Sequence, residues 1–371
     1  MTNNKTFFTG LALLLILTLA GCGGASTKKT DFVTQQHEDT PAADEPILTK
    51  LLRNSAKVVR LKYVVEHGGQ VYAGGYPDIP GGYWDVPGWK PVEPNPDAEQ
   101  LAIVGNTIIY DVNTRYAPEL WRMDLQTGAK TLIADNIGYT RWSVCIAGDR
   151  IIFTTRDDDF SRADVFWYDL KTSQTTKLLD KEAGKEFESV VSFDNDFVYY
   201  STSNDVWQSD LWRVRWDGTH AEVMKDVKMP ENLYKVEGDY YYCMETIMKA
   251  DDGDWRNLTT KISQYTIDSE KPKGDYTVYA WGLEDLEDGW AYFNNKEGIH
   301  KINMTNGATV KLAATLKDDW DFRYIIGIVG DDMYVKASKP FGDCYKVRIY
   351  KVPLQGGAME YQNKEWDECG D

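Results

Sequence analysis

The sequence predicts an all-β fold, a β-propeller of four-stranded antiparallel blades, and three observations carry that prediction. A five-residue phrase is written six times: Leu120-Trp-Arg-Met-Asp124, Val165-Phe-Trp-Tyr-Asp169, Leu211-Trp-Arg-Val-Arg215, Ile262-Ser-Gln-Tyr-Thr266, Ile299-His-Lys-Ile-Asn303 and Ile349-Tyr-Lys-Val-Pro353. The last positions of successive copies lie 45, 46, 51, 37 and 50 residues apart, a period near that of a propeller blade. A second hairpin precedes each copy, as in Ile103-Val-Gly-Asn-Thr-Ile-Ile-Tyr110 and Ile146-Ala-Gly-Asp-Arg-Ile-Ile-Phe153. Two hairpins per period make four strands.

Taken in chain order, the N-terminus reads as a targeting signal. Lys5 supplies a positive start, and the apolar run from Phe7 to Ala20 is too short to span a membrane. It leads into Leu19-Ala-Gly-Cys22, which resembles the lipobox of bacterial lipoproteins, where the cysteine is lipidated and becomes the new N-terminus. The alternative is an ordinary secretory signal with an incidental cysteine. The expected division is a signal over 1–21, a lipid-anchored tether over 22–56 and a propeller over 57–371. Residues 23–45 within it read as flexible coil and reach roughly 25 Å. Within it, Pro46–Leu52 could form a short amphipathic helix against the domain.

Each repeat phrase ends in a turn such as Asp124-Leu-Gln-Thr-Gly128 or Asn303-Met-Thr-Asn-Gly307. Asp and Asn accept local backbone hydrogen bonds there, and Gly supplies the positive φ that tight hairpins need. The period of two, closed by turn residues, selects strands over an amphipathic helix. One more hairpin stands upstream at Val65–Tyr72, with a degenerate partner at Tyr83–Lys90. Counting it gives seven blades, the number we expect; omitting it gives six.

Net charge is −17, and cleavage before Cys22 removes only Lys5, leaving −18. No Lys/Arg cluster exists, which argues against nucleic acid and against electrostatic adhesion to lipid. Attachment to the membrane then falls to the N-terminal lipid. Cys145 and Cys243 read as buried small hydrophobes. Cys344 and Cys369 are placed to pin the C-terminal tail as a disulfide, worth about 3–4 kcal/mol; free thiols remain the alternative.

Variable loops on a rigid scaffold are where binding concentrates. They gather on the ring face opposite the Gly-Asp and Asp-x-x-Thr-Gly turns. Candidate binding residues there are Tyr116, Trp142, Asp157, Asp158, Asp159, Trp207, Trp255 and Trp320, because aromatic faces stack on sugars and anchor protein interfaces. Sealing neighbouring blades is the competing role for any one of the aromatics. Trp121, Trp167 and Trp212, inside the strands, read as structural. The runs Asp157–Asp159 and Asp251-Asp-Gly-Asp254 offer oxygen atoms but match no EF-hand loop, so no metal is expected. The four histidines form no catalytic set, no nucleophile elbow or phosphate loop occurs, and no cofactor is expected.

The units resemble TolB-like propellers and a broad family of bacterial lipoprotein propellers with low-density-lipoprotein-receptor-like repeats, as in Ile151-Ile-Phe, Val165-Phe-Trp-Tyr-Asp-Leu-Lys-Thr172 and Lys177-Leu-Leu179. The resemblance covers about residues 57–365 and is one of repeat rhythm; the YWTD signature is absent. It implies an extracytoplasmic binding or assembly role, generally on six blades, and supplies no catalytic residues. The resulting expectation is a non-catalytic, lipid-anchored scaffold at the cell envelope, binding an envelope protein or extracellular ligand. Its rival is a glycan-binding or glycan-cleaving enzyme that uses acids and aromatics of the loop face.

Overall fold

A computed structural model describes residues 45–74, 87–91, 98–112, 118–138, 144–156, 162–180, 187–203, 209–227, 229–230, 233–247, 259–279, 283–295, 297–317, 320–342, 344–362 and 365–369. The chain divides into two units, residues 1–36 and 37–371, and every described residue belongs to the second. Among them no helix is long and apolar enough to cross a membrane.

The fold is a β-propeller. One helix, α1 (Ile47–Ser55), leads into the short strand β1 (Val58–Arg60). The first sheet holds β2 (Val64–His67), β3 (Gln70–Ala73) and β4 (Trp89–Pro91). The second holds β5 (Ala98–Val104), β6 (Thr107–Val112), β7 (Glu119–Asp124) and β8 (Lys130–Ala134). The third runs β9 (Val144–Ala147), β10 (Arg150–Arg156), β11 (Arg162–Asp169) and β12 (Thr175–Leu179), with β1 added along β9. The fourth is β13 (Phe187–Phe193), β14 (Phe197–Ser203), β15 (Ser209–Arg215) and β16 (Glu222–Val223). The fifth is β17 (Leu233–Glu237), β18 (Tyr240–Ile247), β19 (Thr259–Thr266) and β20 (Pro272–Tyr279). The sixth is β21 (Leu283–Glu287), β22 (Trp290–Asn295), β23 (Gly298–Asn303) and β24 (Thr309–Ala314). The seventh is β25 (Asp321–Val329), β26 (Asp332–Phe341), β27 (Cys344–Pro353) and β28 (Glu360–Tyr361), with β29 (Trp366–Cys369) also on β27.

The first strands of the sheets converge: β2 touches β5 and β25, β21 touches β25, and β1 touches β13. They are therefore the inner edges. Apolar side chains interleave from sheet to sheet, as in Ala102, Ile109 and Leu120 against Val144, Ile146 and Phe153. The first sheet meets the second through Val65 and Tyr72 against Leu101 and Tyr110, and the seventh through Val64 and Trp89 against Tyr334 and Val347. That double contact closes the ring and buries both faces of each sheet, which sheets of such short strands need.

Each repeat phrase makes the same local bonds. The residue after it donates its N–H to the preceding hairpin turn: Leu125 to Asn106, Leu170 to Asp149, Trp216 to Asp196, Ile267 to Asp239, Met304 to Gly289 and Leu354 to Asp331. The Asp or Asn at its end caps the turn. Asp124 Oδ1 accepts from the N–H groups of Gln126 and Thr127, Asp169 Oδ1 from those of Lys171 and Thr172, and Asn303 Oδ1 from those of Thr305 and Asn306. The Thr127 and Thr172 bonds hold the Asp124 and Asp169 carboxyls below their ordinary range.

The phrase also locks sheets together. Its third residue reaches the carbonyl just after the next copy: Arg122 Nη1 to Leu170 at 3.2 Å, Trp167 Nε1 to Trp216 at 2.7 Å and Lys301 Nζ to Leu354 at 2.8 Å. A repeating sequence thus produces a repeating joint.

The degenerate hairpin expected at Tyr83–Lys90 is corrected at its described end. Trp89–Pro91 is a single strand lying parallel to β3, with Val71 opposite Trp89 and Ala73 opposite Pro91. Pro91 lacks an N–H and suits this edge position. Burial of Trp89 against the Tyr334 ring, 4.5 Å away, holds the strand there.

Candidate functional site

Most of the loop-face candidates lie outside the described residues: Tyr116, Trp142, Asp157, Asp158, Asp159, Trp207 and Trp255, as does Cys22. Trp320 is described and is 5 % exposed. It packs with Phe322, Met333 and Val352, and the Arg348 guanidinium stands 4.1 Å over its ring. That burial leaves no open ring face for a ligand to stack on. Among the described residues no group of three or more His, Cys, Asp or Glu is arranged to hold a metal ion.

The cysteines divide by environment. Cys145 and Cys243 are free, and burial pushes their thiols up to about 12 and about 11, which makes them unreactive at neutral pH. Cys344 is disulfide-bonded and stands opposite Cys369 in the β27–β29 register. Beside it, Glu365 takes hydrogen bonds from Lys346 at 2.7 Å and from Arg348 at 2.7 Å, holding the tail on the last sheet. His300 is buried against Phe293, and burial keeps its imidazole below the ordinary pKa.

A different set of residues forms the candidate site. The first, inward strand of each unit ends in a hairpin turn, and the positions one and three residues before that turn are apolar or small in three of the units. They are Val104 and Ala102 in the second sheet, Ala147 and Cys145 in the third, and Val329 and Gly327 in the seventh. In the fifth sheet they are Glu237 and Lys235, and in the sixth they are Glu287 and Asp285. In the first sheet they are His67 and Val65, and in the fourth Asp194 and Ser192. The fifth and sixth are neighbouring units that carry charge at both positions, four charged residues in all.

These residues engage one another. Lys235 Nζ lies 4.0 Å from Asp285 Oδ1 and also donates to the Leu286 carbonyl. Glu237 accepts the N–H groups of Asp288 at 2.9 Å and Gly289 at 3.0 Å, binding the sixth sheet's turn to the fifth sheet. Strand alternation puts Asp285 and Glu287 on one face of β21 and the buried Leu286 on the other. Two residues of rise separate their Cα atoms by about 6.6–6.8 Å. Opposite them on β22 stand Tyr292 and Trp290.

Burial raises the Glu287 carboxyl above the ordinary glutamate value, and Asp285 and Asp288 add to the rise. Lys62 and Lys235 oppose it. Lys62 comes from another part of the ring, since its backbone is bridged to Leu101 at the inner edge of the second sheet. The Tyr292 hydroxyl is raised by burial first and then by Glu287 and Asp285. A carboxyl raised by burial, Glu287, and a second carboxyl, Asp285, beside the Lys235 ammonium are the kinds of group that acid–base chemistry uses. The sequence signal was present, as the departure of units five and six from the repeat.

No protein-family model matches the chain, and no curated protein does. Among solved structures it is similar to an oligogalacturonate lyase from Vibrio parahaemolyticus at 15 % identity and TM-score 0.40, over 64 % of this chain and 70 % of that one. It is also similar to the β-propeller domain of the Trilobed protease from Pyrococcus furiosus, at 13 % identity and TM-score 0.35, over 71 % and 96 %. A post-proline cleaving enzyme from Rickettsia typhi matches at 10 % identity and TM-score 0.45, over 86 % of this chain and 55 % of that one. The chain spans about half the length of that enzyme and of the other whole peptidases it matches. Likeness at these identities shows the fold alone. The expectation of a non-catalytic scaffold is corrected by these neighbours, which are mostly propeller-bearing peptidases with a lyase among them.

Proposed function

We propose that this chain is an extracytoplasmic, lipid-anchored propeller enzyme that cleaves glycosidic bonds with Asp285 and Glu287. The observation that carries the reading is the break in the repeat at the inner edge of the fifth and sixth sheets. Two carboxylates share one strand face there, each with a different surrounding. In the proposed reaction Glu287 gives its proton to the leaving-group oxygen, and Asp285, beside Lys235, takes a proton from the attacking water. A carboxyl whose pKa burial raises suits the part of the acid.

The test is a reducing-end assay on a panel of carbohydrate polymers with Glu287→Gln and Asp285→Asn. Each substitution is expected to lower turnover roughly 100- to 10,000-fold while the melting temperature holds. Glu287→Gln should recover part of the rate on substrates with nitrophenyl leaving groups, which need no proton, and Asp285→Asn should not. Wild-type turnover is expected to fall as pH rises through the elevated Glu287 pKa. A variant pair that keeps full activity, or a wild type inert on every polymer, would sink the reading.

The anchoring part of the proposal rests on Leu19-Ala-Gly-Cys22 behind its apolar run. Cys22→Ala is expected to move the protein from the membrane fraction to the soluble one. Retention of the variant in membranes would argue against a lipid at Cys22. The repeat rhythm supports kinship with TolB-like lipoprotein propellers as part of the same proposal.

A further inference from the structure

Among the described residues, six of the seven seams between sheets are packed sheet against sheet, with side chains of one interleaving with those of the next. The seam between the fourth and fifth sheets is built through α1 instead. Leu51, fully buried, joins Tyr199 and Leu211 of the fourth sheet. Leu52, also fully buried, joins Val236 and Tyr241 of the fifth. Adjacent helix positions point about 100° apart, so two consecutive leucines address two different sheets. Met229 packs in both clusters, and Lys50 Nζ holds Asp194 Oδ2 at 2.7 Å on the fourth sheet's first turn.

The helix has little stability of its own. Its nine residues fall short of the roughly 12–15 that an isolated helix needs in water. Pro46 at the N-cap makes no side-chain bond to the first turn, and that turn carries no acidic residue. The segment is helical because the seam receives it.

We propose that the seam between the fourth and fifth sheets is a helix-binding groove whose resident ligand is α1, and that α1 leaves and re-enters it while the other six seams stay closed. Undocking exposes Leu51, Leu52, Leu48 and Thr49 and parts one ion pair, a smaller disruption than separating two sheets, so it belongs to the low end of the protein's opening reactions. The groove also reaches the candidate site's strand. Val236 faces α1, and its neighbours Lys235 and Glu237 stand on the opposite face of β17. The groove proposal does not depend on what that site catalyses.

The experiment is native-state hydrogen exchange of the full chain, read by mass spectrometry in increasing sub-denaturing urea. Amides of α1 and β17 are expected to exchange at least about 100-fold faster than those of β6 and β10. In Leu51→Ala/Leu52→Ala the same segments should accelerate further while β6 and β10 keep their protection. A synthetic peptide of residues 45–57 added in excess should then restore the lost protection. Exchange of α1 in step with β6 and β10 in the wild type would overturn the proposal, and that outcome is readable even if the double variant fails to fold. A folded double variant whose exchange the peptide leaves unchanged would overturn it as well.

Discussion

Gly298→Ala is expected to destabilise the protein by more than about 3 kcal/mol, one of the two largest single-residue effects anticipated here. Gly298 opens β23 with φ at 127°, a region that residues with a side chain rarely enter. A Cβ built there would fall 2.0 Å from the Ala313 carbonyl oxygen, and 3.0 Å from the carbonyl carbons of Ala313 and Ala314. All three atoms are backbone of the paired strand β24, so no rotamer change relieves the clash. The strands must part, and with them the packing of Ile299 and Leu312 against the seventh sheet. Gly105→Ala is the matched control: φ is also positive, at 56°, but nothing lies within 4 Å of the new Cβ. It should lose only about 1 kcal/mol. Urea unfolding of both variants measures the difference, and equal losses would show that conformational strain alone, not contact with β24, sets the effect.

Trp167→Ala is expected to lose about 3–5 kcal/mol. Trp167 is the third residue of its repeat phrase and carries the joint between the third and fourth sheets. Its indole N–H donates to the Trp216 carbonyl at 2.7 Å, and the two rings meet edge to face at 5.6 Å. The Arg150 guanidinium lies 4.8 Å from the Trp167 ring and 4.0 Å from that of Trp216, so truncation also removes one wall around a cation. Trp216 in turn donates to the Asp194 carbonyl at 2.8 Å, next to the turn that Lys50 of α1 holds. Trp167→Phe keeps most of the apolar contact but leaves the Trp216 carbonyl without its donor, a loss of about 1–3 kcal/mol. Denaturant unfolding separates the two. An alanine variant no weaker than the phenylalanine one would mean that the ring contributes little and the hydrogen bond carries the joint.

The candidate site was legible in the sequence only as a contrast. Lys235, Glu237, Asp285 and Glu287 look unremarkable among the 58 acidic and 41 basic residues of the chain. Aligned on the turn that follows each inner strand, they stand where Ala102, Val104, Cys145 and Ala147 stand in other units. Departures from a repeat's own rule are where function is expected to sit. Of the loop aromatics, Tyr116, Trp142, Trp207 and Trp255 lie outside the described residues, and Trp320 is buried under Arg348. An aromatic residue beside a strand is as useful for sealing a seam as for meeting a ligand, and composition does not separate the two uses.

What the sequence determined by itself was everything that depends on near neighbours in the chain. Alternating apolar residues make strands, Asp and Asn caps with positive-φ glycines close the hairpins, and the period of the phrase sets four strands to a unit. Those interactions span a few residues, so a local reading captures them. Tertiary structure decided the rest. It placed β4 parallel to β3, laid β1 along the inner edge of β9, and brought Lys62 to bear on Glu287. It also set α1 in a seam between sheets that lie well over a hundred residues further along the chain, as its Lys50–Asp194 pair shows with a separation of 144. Each of these is a contact between distant segments, fixed by which apolar surface remained uncovered once the hairpins had formed. Such a surface has no address in the sequence until the ring closes.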